Sequence, residues 1–187
     1  EALFNNLSDT LGTMGVPAHA VDRWKPWFAA VTVTAAAAQE AGFSTAHGVE
    51  SRLTAYAQAR EVSIVGLEHP EEQLKIFDAL SRKEAIYFLK EALEEHEQLA
   101  QQFDQLKEAW LNEELGQLES LLLEAQLENP SFHHAIYTRR NRRWASEIAA
   151  LMREGEKILV AVGTGHLVGE SSVQQLLRER GFTVEER

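Results

Sequence analysis

Ile158-Leu159-Val160-Ala161-Val162-Gly163-Thr164-Gly165-His166 is the stretch on which the fold turns. Five apolar residues, most of them branched, run without a polar break and predict a short buried strand. Two glycines then let the backbone turn sharply. Ser171 or Ser172 follows as a cap, a helix runs through Arg180, and Gly181 stops it. Phe182-Thr183-Val184 reads as a third short strand. The same order stands upstream. Val62-Ser63-Ile64-Val65-Gly66-Leu67 reads as a strand, and Pro70 with Glu71 and Glu72 as a helix start. Two strand–loop–helix units predict an α/β fold, rich in helix, around a small parallel or mixed sheet. Val62–Leu67 and Ile158–Val162 are expected as neighbours or one strand apart, with their carboxyl ends on the same side.

Outward from these runs the pattern is helical. Leu3, Leu7 and Leu11 place a helix over Ala2 to Met14. A second is expected from Ala20 to Ala41, with Pro26 near its start and Trp24, Trp27, Phe28 and Val31 on one face. A third covers Val49 to Arg60, with Leu53, Tyr56 and Ala57 inward. Glu71 to about Glu128 reads as almost wholly helical. Its Phe77, Phe88, Phe103, Trp110 and Leu118 are helix-packing residues. Asn129-Pro130-Ser131 punctuates, and a helix from Phe132 to Arg153 ends at the turn Glu154-Gly155-Glu156. No repeat appears, and residues 1–187 read as one domain.

Composition narrows the function classes. The chain has 187 residues, with 18 Lys+Arg against 29 Asp+Glu, a net charge of −11. That balance argues against a nucleic-acid or anionic-membrane partner. There is no cysteine, hence no disulfide, thiolate metal site or cysteine nucleophile. No run of 18 apolar residues predicts a transmembrane segment. P-loop, GxGxxG, HExxH and GxSxG motifs are absent. The chain opens on Glu1 rather than Met and reads as a processed product or a piece of something longer.

Open α/β sheets bind ligands beyond the carboxyl ends of their strands. One strand ends in Glu68-His69 and another in His166. His166 reads equally as a ligand or general base on a rigid strand end, with the glycines leaving space for a metal or substrate, or as a packing residue. Glu68 reads as a desolvated carboxylate that binds metal or orients a histidine, or as an acid near the next helix start. Glu50 sits in a first helical turn, where an acid is favourable anyway. Within Arg139-Arg140-Asn141-Arg142-Arg143 at least one arginine must point inward and needs a carboxylate. Arg140 is expected there, paired with Glu50 or Glu68, and Arg142 and Arg143 more exposed. His133 and His134 read as surface residues.

The motifs then fall into an order. They are Lys25-Pro26-Trp27, Gly48-Val49-Glu50, Gly66-Leu67-Glu68 with Glu72-Gln73-Leu74, Trp110, Arg140-Asn141-Arg142-Arg143-Trp144 and Val162-Gly163-Thr164-Gly165-His166-Leu167-Val168-Gly169. Leu176-Leu177 and Gly181-Phe182-Thr183-Val184 complete it. Together they resemble the TraB/GumN family, related to the Tiki metalloproteases. The resemblance implies a metal-dependent, peptidase-like hydrolase whose site is built from two GxxH motifs. It implies a divalent metal (zinc, manganese or cobalt) held by His166, Glu68 and Glu50, with Glu68 a ligand or the group that activates water. Arg140 and Asn141 would orient the carboxylates or bind substrate, so that Glu68, His166, Arg140 and Asn141 form the catalytic set.

The second GxxH falls on Gly163 to His166, whereas the first is absent: Gly15, not His, follows Gly12-Thr13-Met14. The chain thus reads as the C-terminal two thirds of a family member, with an incomplete site. A non-catalytic protein that binds or inhibits peptide pheromones is the alternative. The resemblance further implies a peptide or protein substrate and a bacterial cell-envelope location, periplasmic, secreted or membrane-anchored. A homodimer is expected to cover the sheet edge left by a missing strand.

Overall fold

The computed structural model describes residues 1–94, 96–128 and 130–185. Every regular element among them is helical. They are α1 (Ala2–Thr13), α2 (Ala18–Val21), α3 (Pro26–Glu40), α4 (Val49–Gln58), α5 (Pro70–Asp78), α6 (Arg82–Glu94), α7 (His96–Leu111), α8 (Leu115–Glu128), α9 (Pro130–His133), α10 (Arg139–Arg153) and α11 (Val173–Arg178). Two 3₁₀ turns, Thr45–His47 and Thr164–His166, and a π turn, His134–Thr138, join them.

The α/β expectation is therefore corrected: the described residues contain no strand and no sheet. Val62–Leu67, Ile158–Val162 and Phe182–Val184 lack regular structure. A strand exists only through bonds to a neighbouring strand, whereas a helix satisfies its backbone internally. Branched apolar residues favour a pleated, half-buried surface rather than an isolated extended backbone. Without that surface, Val65 and Leu159 are each 81 % exposed. The homodimer expectation rested on a sheet edge and loses that basis.

The chain divides into two compact units, Glu1–Ser63 with Pro70–Asn112, and Ile64–His69 with Glu113–Arg187. In the first, Leu7 and Leu11 of α1 pack with Val21, with Ala29, Ala30 and Val33 of α3, and with Leu89, Ala92 and Leu93 of α6. Alanines let the helix backbones approach, so the buried face of α3 is Ala29, Ala30, Val33 and Ala37. Phe28 and Val31 are exposed instead. Pro26 takes the first helical position, and the expected Ala20–Ala41 helix splits there into α2 and α3 because proline has no N–H to continue a preceding helix. Asp78 Oδ1 accepts from Lys25 Nζ at 2.7 Å and Trp27 Nε1 at 2.9 Å. Trp27 stacks on Phe77, which stacks on Phe88. α4 buries no residue, and Tyr56 lies exposed beneath the Arg60 guanidinium.

The almost wholly helical stretch expected from Glu71 to about Glu128 is built of four helices, α5 to α8. Ser81 and Glu84 form a capping box that starts α6: Ser81 N–H donates to Glu84 Oε2 at 2.8 Å, and Glu84 N–H to Ser81 Oγ at 3.2 Å. Between α7 and α8 the backbone of Glu113 turns to a φ of 58°. Asn129, in the expected break before Pro130, lies outside the described residues.

In the second unit α10 is central. Trp144 and Ile148 pack with Val173 of α11, and Leu67, Val162 and Leu177 close over them. The Ser172 hydroxyl accepts from Gln175 N–H and caps α11. The turns at Gly155 and Gly181 use φ values of 85° and 87°, which glycine adopts freely.

Candidate functional site

Residues three and four apart share a helix face, so α10 presents Arg140, Asn141, Trp144 and Ile148 to the interior. Asn141 is 1 % exposed. Its Nδ2 donates to the Ser171 carbonyl at 2.8 Å and to the His166 carbonyl at 3.4 Å. Its Oδ1 lies 2.5 Å from His166 Nδ1. With the amide nitrogen committed to carbonyls, the amide oxygen must accept, and Nδ1 carries the imidazole proton. Nε2 then holds the lone pair, and it makes no hydrogen bond among the described residues.

His166 is 7 % exposed, between the rings of Trp144 at 4.5 Å and Tyr137 at 5.0 Å. Burial pushes its pKa down to about 4, and the charges of Arg140 and His133 add to this. The imidazole is therefore neutral at pH 7. A neutral ring with a fixed tautomer can bind a metal or accept a proton through Nε2.

On the Gly165 side, Tyr137 fills the room expected beside His166. A Cβ on Gly165 would fall 2.7 Å from Tyr137 Cε1 and 3.0 Å from its hydroxyl oxygen. The π turn supplies this ring: Arg139 N–H bonds the His134 carbonyl five residues back. His133 stacks on Tyr137 at 4.9 Å and is half-buried, not a surface residue, whereas His134 is exposed. Burial raises the Tyr137 hydroxyl pKa, with Arg140 opposing. Thr138 Oγ1 lies 3.1 Å from Ser171 Oγ.

Glu68 reaches α10 through the residue beside Asn141. Arg140 Nε donates to Glu68 Oε2 at 3.0 Å, and Arg140 Nη2 donates to Oε1. Arg140 Nη1 donates to the Ile136 carbonyl at 3.0 Å, and its guanidinium lies 4.7 Å from the Trp144 ring centroid. The Arg140 and Glu68 side chains are only 11 % and 13 % exposed. Arg140 is thus inward and paired with one of its two expected partners. Arg142 is exposed. Arg143, more exposed than Arg140, donates through Nη2 to the Leu67 carbonyl at 3.0 Å and to Glu68 Oε2 at 3.5 Å. Sequence reading missed this contact. The signal for it was the three-residue spacing from Arg140.

These groups do not make a metal site by themselves. No three His, Cys, Asp or Glu side chains cluster among the described residues. His166 offers Nε2, but both Glu68 oxygens accept from arginines. Glu50 is an exposed first-turn acid of α4, in the first unit.

The family model described as "TraB/PrgY/gumN family" matches residues 1–186. The chain belongs to that family. Among curated relatives, a "Metalloprotease TIKI homolog" from Amphimedon queenslandica is 37 % identical over 75 residues, covering 39 % of this chain and 13 % of that protein. "Uncharacterized protein YbaP" from Escherichia coli (strain K12) is 26 % identical over 178 residues, covering 95 % of this chain and 66 % of that protein. The chain therefore spans less than two thirds of either relative's length. No solved structure matches. The match includes Gly163–His166, the stretch that carries the buried imidazole.

Proposed function

We propose that this chain is part of a metal-dependent, peptidase-like hydrolase, to which it contributes His166 as one imidazole donor. The supporting observation is a buried, neutral His166 whose Nδ1 is tied to Asn141 and whose Nε2 keeps its lone pair. Metal-binding imidazoles are commonly held this way, with the second nitrogen donating to an oxygen. The metalloprotease name of the TIKI homologue supports the same class. A hydrolytic centre usually takes three protein ligands and an open position, so further donors must come from a longer protein, as relatives of YbaP size would allow. A divalent metal (zinc, manganese or cobalt) would supply Lewis acidity and an activated water there. This chain's own part is to hold His166 in one tautomer between Trp144 and Tyr137. The substrate is a peptide or protein, and the location is the bacterial cell envelope.

A second reading is a peptide-binding protein without catalysis. It is favoured by the arginine bonds that occupy both oxygens of Glu68. Calorimetric titration with Zn²⁺, Mn²⁺ and Co²⁺ separates the two. This chain alone is expected to bind weakly, and the full-length protein tightly unless it carries His166→Ala. Unchanged binding by that variant would refute the ligand role. Full-length protein that binds none of the three metals would favour the non-catalytic reading.

A further inference from the structure

The chain leaves the first unit for six residues, contributes Ile64–His69 to the second, and returns. Those six residues form no helix or strand, and Ile64 and Val65 are exposed. Backbone pairing therefore does not hold the excursion. Leu67 packs under Trp144 and Ile148, and α10 grips the same point electrostatically. Arg140 meets both oxygens of Glu68, and Arg143 takes the Leu67 carbonyl and one oxygen of Glu68. Arg140 also bonds the Ile136 carbonyl in the π turn, so one guanidinium joins three pieces of chain: Ile64–His69, the π turn and α10. Two parallel N–H···O bonds to a carboxylate are geometrically specific, which a lysine cannot reproduce.

A carboxylate so held is poorly placed for metal or water. For Glu68 to ligate a cation, it must release Arg140, leaving a nearly buried guanidinium without its counter-charge. The same release would bring a cation close to that guanidinium.

We infer that Glu68 is a positioning residue, the carboxylate end of a clamp with Arg140 and Arg143 that seats Gly66–His69 on α10 beside Asn141 and His166, and that it is neither metal ligand nor water-activating base. This rests on the proposed hydrolase reading only for the name of the reaction it excludes; the clamp itself stands without it.

Glu68→Gln and Arg140→Met are the variants that decide. One alters the carboxylate and the other removes its partner, so a clamp predicts that they behave alike. Each should lower Tm, and the double variant Glu68→Met/Arg140→Met should lose less than the sum of the singles. Arg140→Lys should not restore what Arg140→Met loses, and Glu68→Asp, which keeps the charge, should restore part of what Glu68→Gln loses. In the full-length protein, Zn²⁺ affinity should change by less than about threefold in all of them. A ligand role predicts divergence: Glu68→Gln would keep Tm but weaken Zn²⁺ by tenfold or more, while Arg140→Met would keep or tighten it. That divergence overturns the inference, as does additive loss of Tm in the double variant. If the single variants fail to fold, the double must fold and keep its Zn²⁺ affinity; failure of either overturns the clamp. Absence of Zn²⁺ binding in the wild type would count against the hydrolase reading alone, because the Tm coupling would still report on the clamp.

Discussion

The two units bury different chemistry. Around α1, α3 and α6 the buried residues are leucine, valine and alanine. Around α10, Asn141, His166 and Ser172 are buried beside Trp144, Ile148 and Val173. An apolar core gains from area removed from water and asks only for the right volume. A polar core gains little per hydrogen bond and loses heavily when one partner goes. The second unit accepts that exposure to loss, and what it obtains is a histidine in one protonation state and one tautomer. Its chemistry is therefore concentrated in an element that a volume-filling core would not need.

The sharpest contrast is a substitution that conserves volume. Leu11→Met should cost less than about 1.5 kcal/mol. Asn141→Leu, of similar size, removes the partner of His166 Nδ1 and of the Ser171 carbonyl, and should cost about 2–4 kcal/mol. Chemical denaturation of both variants measures the difference. Equal losses would erase the distinction between the units.

Acid should separate them next. The His166 pKa is about 4 in the folded chain against an ordinary 6.5. Between those values the unfolded chain binds the extra proton, so stability falls as pH drops from 6.5 toward 4 and is complete above 6.5. Across that range this group accounts for roughly 3 kcal/mol of the change. The slope should survive Leu11→Met and flatten in His166→Gln, as denaturation at pH 7 and pH 4.5 would show.

Smaller effects follow. Gly165→Ala drives a methyl into the Tyr137 ring and should cost about 1–3 kcal/mol, with a change in the His166 ring resonances. Ser172→Ala removes the α11 cap, should cost about 1 kcal/mol, and should leave those resonances in place.

Local chemistry made parts of this legible in sequence. Pro70 starts a helix, Ser172 caps one, and Gly155 and Gly181 end two, because each signal acts within a turn. Arg140 was readable as inward because an arginine run on a helix cannot face outward on every side. The sheet was misread because Val62–Leu67 and Ile158–Val162 match a strand in composition, while pairing depends on partners distant in sequence. Tyr137 was invisible for a related reason. Its place against Gly165 comes from a π turn and a tertiary contact, and neither leaves a mark in spacing. The Ser81 capping box, by contrast, was present in the sequence and lay hidden inside a helix-rich run.

Nitrogen-15 NMR of the His166 ring in the metal-free chain at pH 7 tests the arrangement of the second unit most directly. The expected spectrum has the proton on Nδ1, a bare Nε2, and no change until the pH nears 4. A proton on Nε2, or a titration centred near the ordinary 6.5, would contradict it.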